Sequence, residues 1–131
     1  MNIERFINRL RYAFYIVEKI DHRAYRRVIS TEIGFLTGIE CNLLSIIGFK
    51  KMLSLGVIPI SAIVITAYLL ELLILYKINK KNLTDELFKK YIPIFEEESF
   101  ISKTIWHISA MALLVISSVY FIVSIMLFFL S

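Results

Sequence analysis

Two carboxylic acids lie inside long apolar stretches of the sequence, where an ionisable side chain is costly. Glu40 interrupts the apolar block 33–49, and Glu71 lies near the end of the block 53–76. In a membrane an acid costs about 3 kcal/mol or more and normally faces protein or water rather than lipid. Because rings of acidic side chains can build cation selectivity, we predict a polar path at these residues. The polar groups assigned to it are Glu40, Glu71 and Asn42.

Both acids also have structural interpretations, which the sequence leaves open. Glu40 could instead form a hydrogen bond with Asn42, with Thr37 or with a partner helix. On a helical wheel it points about 100° away from the stripe of small residues described below. Glu71 lies within two turns of Lys77, so we interpret it as an acid close to the headgroups, where a charge costs less.

The sequence holds no recognisable catalytic, cofactor-binding or metal-binding motif. No Ser-His-Asp set can be assembled, no residues have metal-ligand spacing, and no glycine-rich phosphate loop is present. Cys41 is the one cysteine, which excludes a disulfide framework and a cysteine-cluster metal site. The glutamates 96–98 could pair with Arg26 and Arg27 or bind a divalent cation, but we interpret them as a solvated charge run. We therefore predict no enzymatic activity and no cofactor.

The composition indicates the kind of protein that positions these acids. The 131 residues are 58% hydrophobic and 20% charged, with 4 glycines and 2 prolines, which excludes collagen-like and disordered chains. The apolar residues form blocks that are long enough for membrane-spanning helices and too long for barrel strands. We predict one all-α integral membrane domain, 1–131, with three transmembrane helices preceded by an amphipathic N-terminal helix. Its parts are an interfacial helix at 1–27, transmembrane helices at 28–53, 55–77 and 102–130, and a cytoplasmic loop with a short helix at 78–101.

The basic residues indicate how the chain is oriented. Residues 1–32 hold seven Lys and Arg and residues 77–104 hold six, whereas the connection between the first two spans holds two. With three spans the first two of these segments share a side, and basic residues mark the cytoplasmic side. We predict a bacterial inner-membrane protein with a cytoplasmic N-terminus and an external C-terminus. No cleavable signal peptide is expected, because the first apolar block begins too late.

The N-terminal segment has a basic face of its own. Apolar residues recur at spacings of three and four between Ile3 and Ile20, with basic residues on the other side. We predict a helix on the anionic inner leaflet, where each nearby Lys or Arg contributes about 1 kcal/mol; packing on the rest of the cytoplasmic part is the alternative. Lipid explains the charge with fewer assumptions than nucleic acid, which we do not expect as a partner. The residues assigned to the membrane surface are Arg5, Arg9, Arg11, Lys19, Arg23, Arg26 and Arg27.

Small residues form stripes on two of the predicted spans. In the first span they step by four, three, four and three, and in the third they repeat every seven residues. Small residues let helix backbones approach closely, which drives association in lipid. We predict that these faces assemble a homo-oligomer; the alternative is that they only fold the monomer. The packing residues are Gly34, Gly38, Cys41, Ser45 and Gly48 in the first span and Ala110, Ser117 and Ser124 in the third.

An amphipathic N-terminal helix followed by three spans, in about this length, resembles the small bacterial diacylglycerol kinase, a homotrimer. That family carries on its second span a Glu, an Asn three residues on and a Glu four residues beyond that. With Glu71 at the first position, Ile74 and Ile78 occupy the other two. The resemblance covers the layout of the whole chain and not this motif, so it does not imply kinase chemistry.

These features lead to one functional prediction and two alternatives. We predict a small oligomeric membrane protein that is pore-like, channel-like or membrane-perturbing, with a polar path near Glu40. The first alternative is a non-catalytic accessory or anchoring subunit whose cytoplasmic helices bind a protein partner. The second is a lipid-modifying enzyme with the kinase-like layout.

Overall fold

The computed structural model describes residues 2–131 and is 91% helix, with no strand in this range. The helices are α1 (Ile3–Glu18), α2 (Asp21–Ile47), α3 (Phe49–Ser54), α4 (Val57–Asn82), α5 (Asp85–Glu96) and α6 (Phe100–Leu130). The prediction of an all-α fold is confirmed. Two helices, α4 and α6, are long and apolar enough to cross a membrane. The predicted span 28–53 does not meet this criterion, because α2 carries the polar residues Glu32, Glu40 and Asn42.

The long helices alternate in direction. Ser117 of α6 donates a hydrogen bond to the Thr31 carbonyl of α2 at 2.7 Å, and further along both helices Asn42 donates to the Tyr120 hydroxyl. These two contacts show that α2 and α6 run in the same direction. At the end of α4, Asn79 reaches back to the first half of α2, so α4 runs antiparallel to α2.

The predicted helix 1–27 is interrupted at Lys19. This residue adopts a left-handed conformation with a φ of 53°, and its N–H donates to the Tyr15 carbonyl at 2.6 Å. Such a residue ends a helix by satisfying one of its last carbonyls. Because α2 begins two residues later, at Asp21, the structure has no helix boundary at residue 28. The second half of the predicted interfacial helix is the first part of α2.

The connection between the first two predicted spans is a short helix. Gly48 and Gly56, with φ of 92° and 94°, separate α3 from α2 and α4, and glycine adopts this conformation without a Cβ penalty. The Phe49 N–H at the start of α3 donates to the Ser131 hydroxyl at 3.0 Å. The start of α3 is therefore joined to the last residue of the chain.

The predicted short helix in the segment 78–101 is α5. Thr84 caps it by accepting a hydrogen bond from a first-turn N–H at 3.3 Å. The helix continues past Pro93, and the buried ring of Phe95 in its last turn lies 5.5 Å from the ring of Tyr12 on α1. This contact joins α5 to α1.

The apolar core lies at the end of the bundle where α4 ends and α6 begins. Here α1 and α5 pack together, and we call these two helices the cap (residues 3–18 and 85–96). The main cluster of buried apolar residues is Ile7, Leu10, Ala13, Phe14, Ala24, Val28, Leu83 and Ala110. In contrast, α4 buries no residue along its 26 positions. The fold therefore concentrates its interior in the cap and leaves α4 exposed.

Candidate functional site

The two acids of the predicted polar path meet between α2 and α4. The Thr37 hydroxyl of α2 donates a hydrogen bond to the Glu71 carboxylate of α4 at 2.8 Å. Glu40 follows Thr37 by three residues on α2, so its side chain lies on the same face of the helix, one turn away and close to Glu71. These residues, from two helices distant in sequence, form a carboxyl pair with one hydroxyl partner.

A second polar contact between α2 and α4 lies closer to the cap. The Asn79 side-chain amide donates to Glu32 at 2.7 Å. Glu32 and Glu40 are eight residues apart on α2, and Glu71 and Asn79 are eight apart on α4. In an antiparallel pair this equal spacing aligns the two contacts, about 12 Å apart at 1.5 Å per residue. We call this line the α2/α4 seam; sequence reasoning missed Glu32 and Asn79, although the equal spacing was a usable signal.

A cleft of about 370 Å³ opens beside Glu40 between the same two helices. The only hydroxyl in its wall belongs to Thr66, and this hydroxyl donates to the Ala62 carbonyl of its own helix at 2.7 Å. The Glu40 carboxyl is therefore the one charged group in a cleft that is otherwise lined by hydrocarbon. The apolar side chains that line the cleft are Leu43, Leu44, Ala62, Ile63, Ala67 and Leu70.

The sequence places no basic residue beside this carboxyl pair. Glu40 is the one charged residue in 33–49, and Glu71 is the one charged residue in 57–76. Along α4 the next basic residue is Lys77, about 9 Å from Glu71 at 1.5 Å per residue. Two carboxyl groups this close together, in a region without basic residues, form a negatively charged site. The arrangement can therefore bind a cation.

The structure does not bring Asn42 to the pair. Its amide donates to the Tyr120 hydroxyl, so it joins α2 to α6. Thr37 donates to Glu71 rather than to Glu40. Thr37 and Asn42 therefore form hydrogen bonds with Glu71 and Tyr120, and not with Glu40 as the sequence allowed.

The small-residue stripes pack against each other inside one chain. A Cβ atom added to Gly34 would lie 2.0 Å from the Ser117 hydroxyl oxygen and 3.0 Å from the Ser117 carbonyl oxygen. A Cβ atom added to Gly38 would lie 2.4 Å from the ring of Tyr120. Ala110, Ser117 and Ser124 are all buried on α6. Because α6 covers α2 at both glycines, this part of the stripe is unavailable to a second copy, which corrects the expectation that it assembles an oligomer.

The remaining residues of the predicted stripe on α2 are Cys41, Ser45 and Gly48. Cys41 is half-buried, and its carbonyl accepts a hydrogen bond from the Ser45 hydroxyl at 2.8 Å within α2. Gly48 ends the helix. These residues continue the stripe in sequence, but the close approach of the backbones is at Gly34 and Gly38.

Arg9, expected on the membrane surface, lies in the interior of the cap with 1% of its side chain exposed. Its Nη2 atom donates to Glu98 at 2.7 Å, and its Nε atom lies 3.1 Å from both oxygens of that carboxylate. Its guanidinium lies over the rings of Trp106, Tyr12 and Phe95 at 5.0, 5.2 and 5.4 Å, which are favourable cation–π distances. Glu98 of the acidic triplet thus pairs with Arg9 and not with Arg26 or Arg27.

Arg11 is buried in the same way and joins three elements. It is 1% exposed and donates to Asp21 at 2.8 Å and to Asp85 at 2.7 Å. The hydrogen bond and the charge of Arg11 hold the pKa of Asp85 below its ordinary value. The assignment of Arg9 and Arg11 to the membrane surface is therefore corrected, because their partners come from α2, α5 and the segment after α5.

The other predicted surface residues lie at or near the surface of the cap and of α2. Arg5, Arg23 and Arg26 are exposed, and so is Lys19 at the turn between α1 and α2. Arg27 forms an ion pair with Glu18. The exposed side chains could contact anionic lipid headgroups.

Within residues 2–131 no group of three or more His, Cys, Asp and Glu side chains is arranged to hold a metal ion. Comparison of the chain with family models, with curated proteins and with solved structures finds no match. The fold and the site thus define an all-helical protein, with two helices that could cross a membrane and a carboxyl pair between α2 and α4.

Proposed function

We propose that the protein is an integral membrane protein in which α2, α4 and α6 all span the bilayer, with the cap in the cytoplasm and the C-terminus outside. The alternating direction of the three helices, the exposed apolar surface of α4 and the partition of basic residues support this arrangement. The polar side chains Glu32, Thr37 and Asn42 of α2 are compatible with it, because their hydrogen bonds are to α4 and α6.

Cysteine labelling tests this topology. In a Cys41→Ser background, a cysteine at Ser131 should react with a membrane-impermeant maleimide in intact cells, whereas a cysteine at Asn2 should react only after lysis. The reason is that the two ends lie on opposite sides of the membrane. Labelling of position 2 but not position 131 in intact cells would reverse the orientation, and equal labelling of both would contradict three spans.

We propose further that the protein is pore-like or channel-like and moves cations through the carboxyl pair of Glu40 and Glu71. The observation that carries this proposal is that both acids converge, with the Thr37 hydroxyl, in a region without basic residues. The Glu32–Asn79 contact extends the polar line about 12 Å toward the cap. A cation from the cytoplasmic side would therefore meet polar groups at two depths. The proposal gives these residues no catalytic role.

We propose that the protein self-associates, but through α4 rather than through the stripe on α2. The face of α4 opposite the cleft is apolar and has no partner within residues 2–131; Ile65, Tyr68 and Leu72 on it are each 44–60% exposed. A symmetric assembly would place several carboxyl pairs around one axis. Such an assembly is the arrangement in which acidic side chains select cations.

Flux measurements test the proposed cation movement. Purified protein in liposomes should admit protons or sodium ions, and Glu40→Gln should reduce this flux about tenfold or more, because the amide carries no charge to balance the cation. Glu97→Gln is the matched control, since Glu97 is exposed at the end of the cap. A flux equal to that of protein-free liposomes, or one that Glu40→Gln leaves unchanged, would contradict the proposal.

A further inference from the structure

The cleft beside Glu40 has the dimensions of a site for a small organic molecule. Pockets that hold such ligands have volumes of about 300–1,000 Å³ and mostly apolar walls, with a few polar groups that orient the ligand. The cleft has a volume of about 370 Å³, six apolar side chains and one carboxyl group. The cleft is open rather than enclosed, so in the proposed topology a ligand can reach it from the surrounding lipid.

The charges around the cleft select the kind of ligand. Its wall contains Glu40 and no basic residue, and Glu71 lies one turn away against Thr37 of the same helix face. The Thr66 hydroxyl is already engaged with the Ala62 carbonyl. A ligand that fits must therefore bring a positive charge to the carboxyl end and an apolar surface to the remainder.

We infer that the cleft binds an amphiphilic organic monocation, which enters from the lipid and places its charge against Glu40. The inference rests on the proposed function in that it names the substrate class of the same carboxyl pair. A divalent cation such as Ca²⁺ or Mg²⁺ fits the cleft less well, because these hard cations need six or more oxygen ligands and the wall supplies hydrocarbon. A lipid acyl chain would fill the apolar part but would leave the carboxyl without a counter-charge.

Binding of radiolabelled tetraphenylphosphonium to the purified protein in mild detergent, measured by equilibrium dialysis, tests this inference. We expect saturable binding that Glu40→Gln weakens about tenfold or more, since 1.4 kcal/mol of lost charge pairing already gives that factor. Ala67→Phe, which fills the cleft, should also abolish binding. Ala112→Phe is the matched control because Ala112 is exposed on α6, away from the cleft. Thermal unfolding of each variant checks that the fold is retained.

Neutral triphenylphosphine oxide distinguishes a cation site from a purely hydrophobic one. Equal binding of the neutral and charged probes, with no effect of Glu40→Gln, would overturn the inference, as would binding that Ala67→Phe and Ala112→Phe reduce equally. The flux assay separates the two proposals. Cation flux that depends on Glu40, without phosphonium binding, overturns this inference alone. Phosphonium binding that depends on Glu40, without any cation flux, supports it and overturns the proposed pore function.

Discussion

Replacing Glu98 with alanine should destabilise the cap by about 3 kcal/mol, because it leaves the guanidinium of Arg9 buried without a counter-charge. Removing one partner of a buried ion pair typically costs this amount or more. Arg9 is 1% exposed, and its remaining neighbours are aromatic rings, which compensate a full charge only in part. Detergent denaturation followed by circular dichroism would measure the loss as a decrease in the free energy of unfolding.

Two further variants test whether the uncompensated charge causes this effect. Glu97→Ala removes an exposed carboxylate one residue away and should change stability by less than about 0.5 kcal/mol, as exposed substitutions usually do. Adding Arg9→Met to Glu98→Ala should recover most of the lost stability, because the stranded charge is removed and an apolar chain fills its place. Equal effects of the Glu97 and Glu98 substitutions, or a double variant less stable than Glu98→Ala, would contradict this account.

The burial of Arg9 and Arg11 could not be predicted from the local sequence. A pattern of apolar residues at spacings of three and four predicts an amphipathic helix and assigns the residues between them to its polar side. Whether that side meets water or protein depends on partners elsewhere in the chain. Here Asp21, Asp85 and Glu98 supply three carboxylates to two arginines, through contacts that span 10 to 89 residues of sequence.

The helices could be predicted because their causes are local. The apolar blocks identified α4 and α6, and the spacing of small residues identified the faces that pack in α2 and α6. The break at Lys19 could not be predicted, since neither Gly nor Pro marks it and a lysine adopts the left-handed conformation.

In the candidate site, the two acids could be predicted from the local sequence, but their contact could not. Each acid was identified separately by its costly position in an apolar block. Their contact depends on the relative register of α2 and α4, which apolar periodicity does not determine because α4 is apolar on every side. The equal eight-residue spacing of Glu32 and Glu40 and of Glu71 and Asn79 encodes this register. Polar residues at matched spacings on consecutive apolar helices therefore indicate which faces meet.

Replacing Gly34 with leucine should separate α2 from α6 and reduce the free energy of unfolding by about 3 kcal/mol. Overpacking of a close contact typically costs 1–3 kcal/mol. We expect a cost near the upper limit here, because an added side chain would meet both the side chain and the backbone of Ser117. The first added atom would lie 3.0 Å from the Ser117 carbonyl oxygen, which cannot rotate away. The leucine would also displace the Ser117 hydroxyl from its hydrogen bond to the Thr31 carbonyl.

Ser118→Leu is the matched control, because Ser118 is exposed and bonds only to its own helix at the Leu114 carbonyl. It adds a leucine to the same helix pair, and we expect it to change the free energy of unfolding little. Gly34→Ala should fall between the two, since it adds one methyl group to the same contact. Measuring stability together with oligomer size by light scattering separates packing within the chain from association between copies. If Gly34→Leu kept the stability of each chain and only reduced oligomer size, the stripe would join separate copies, and the packing of α2 on α6 described here would be wrong.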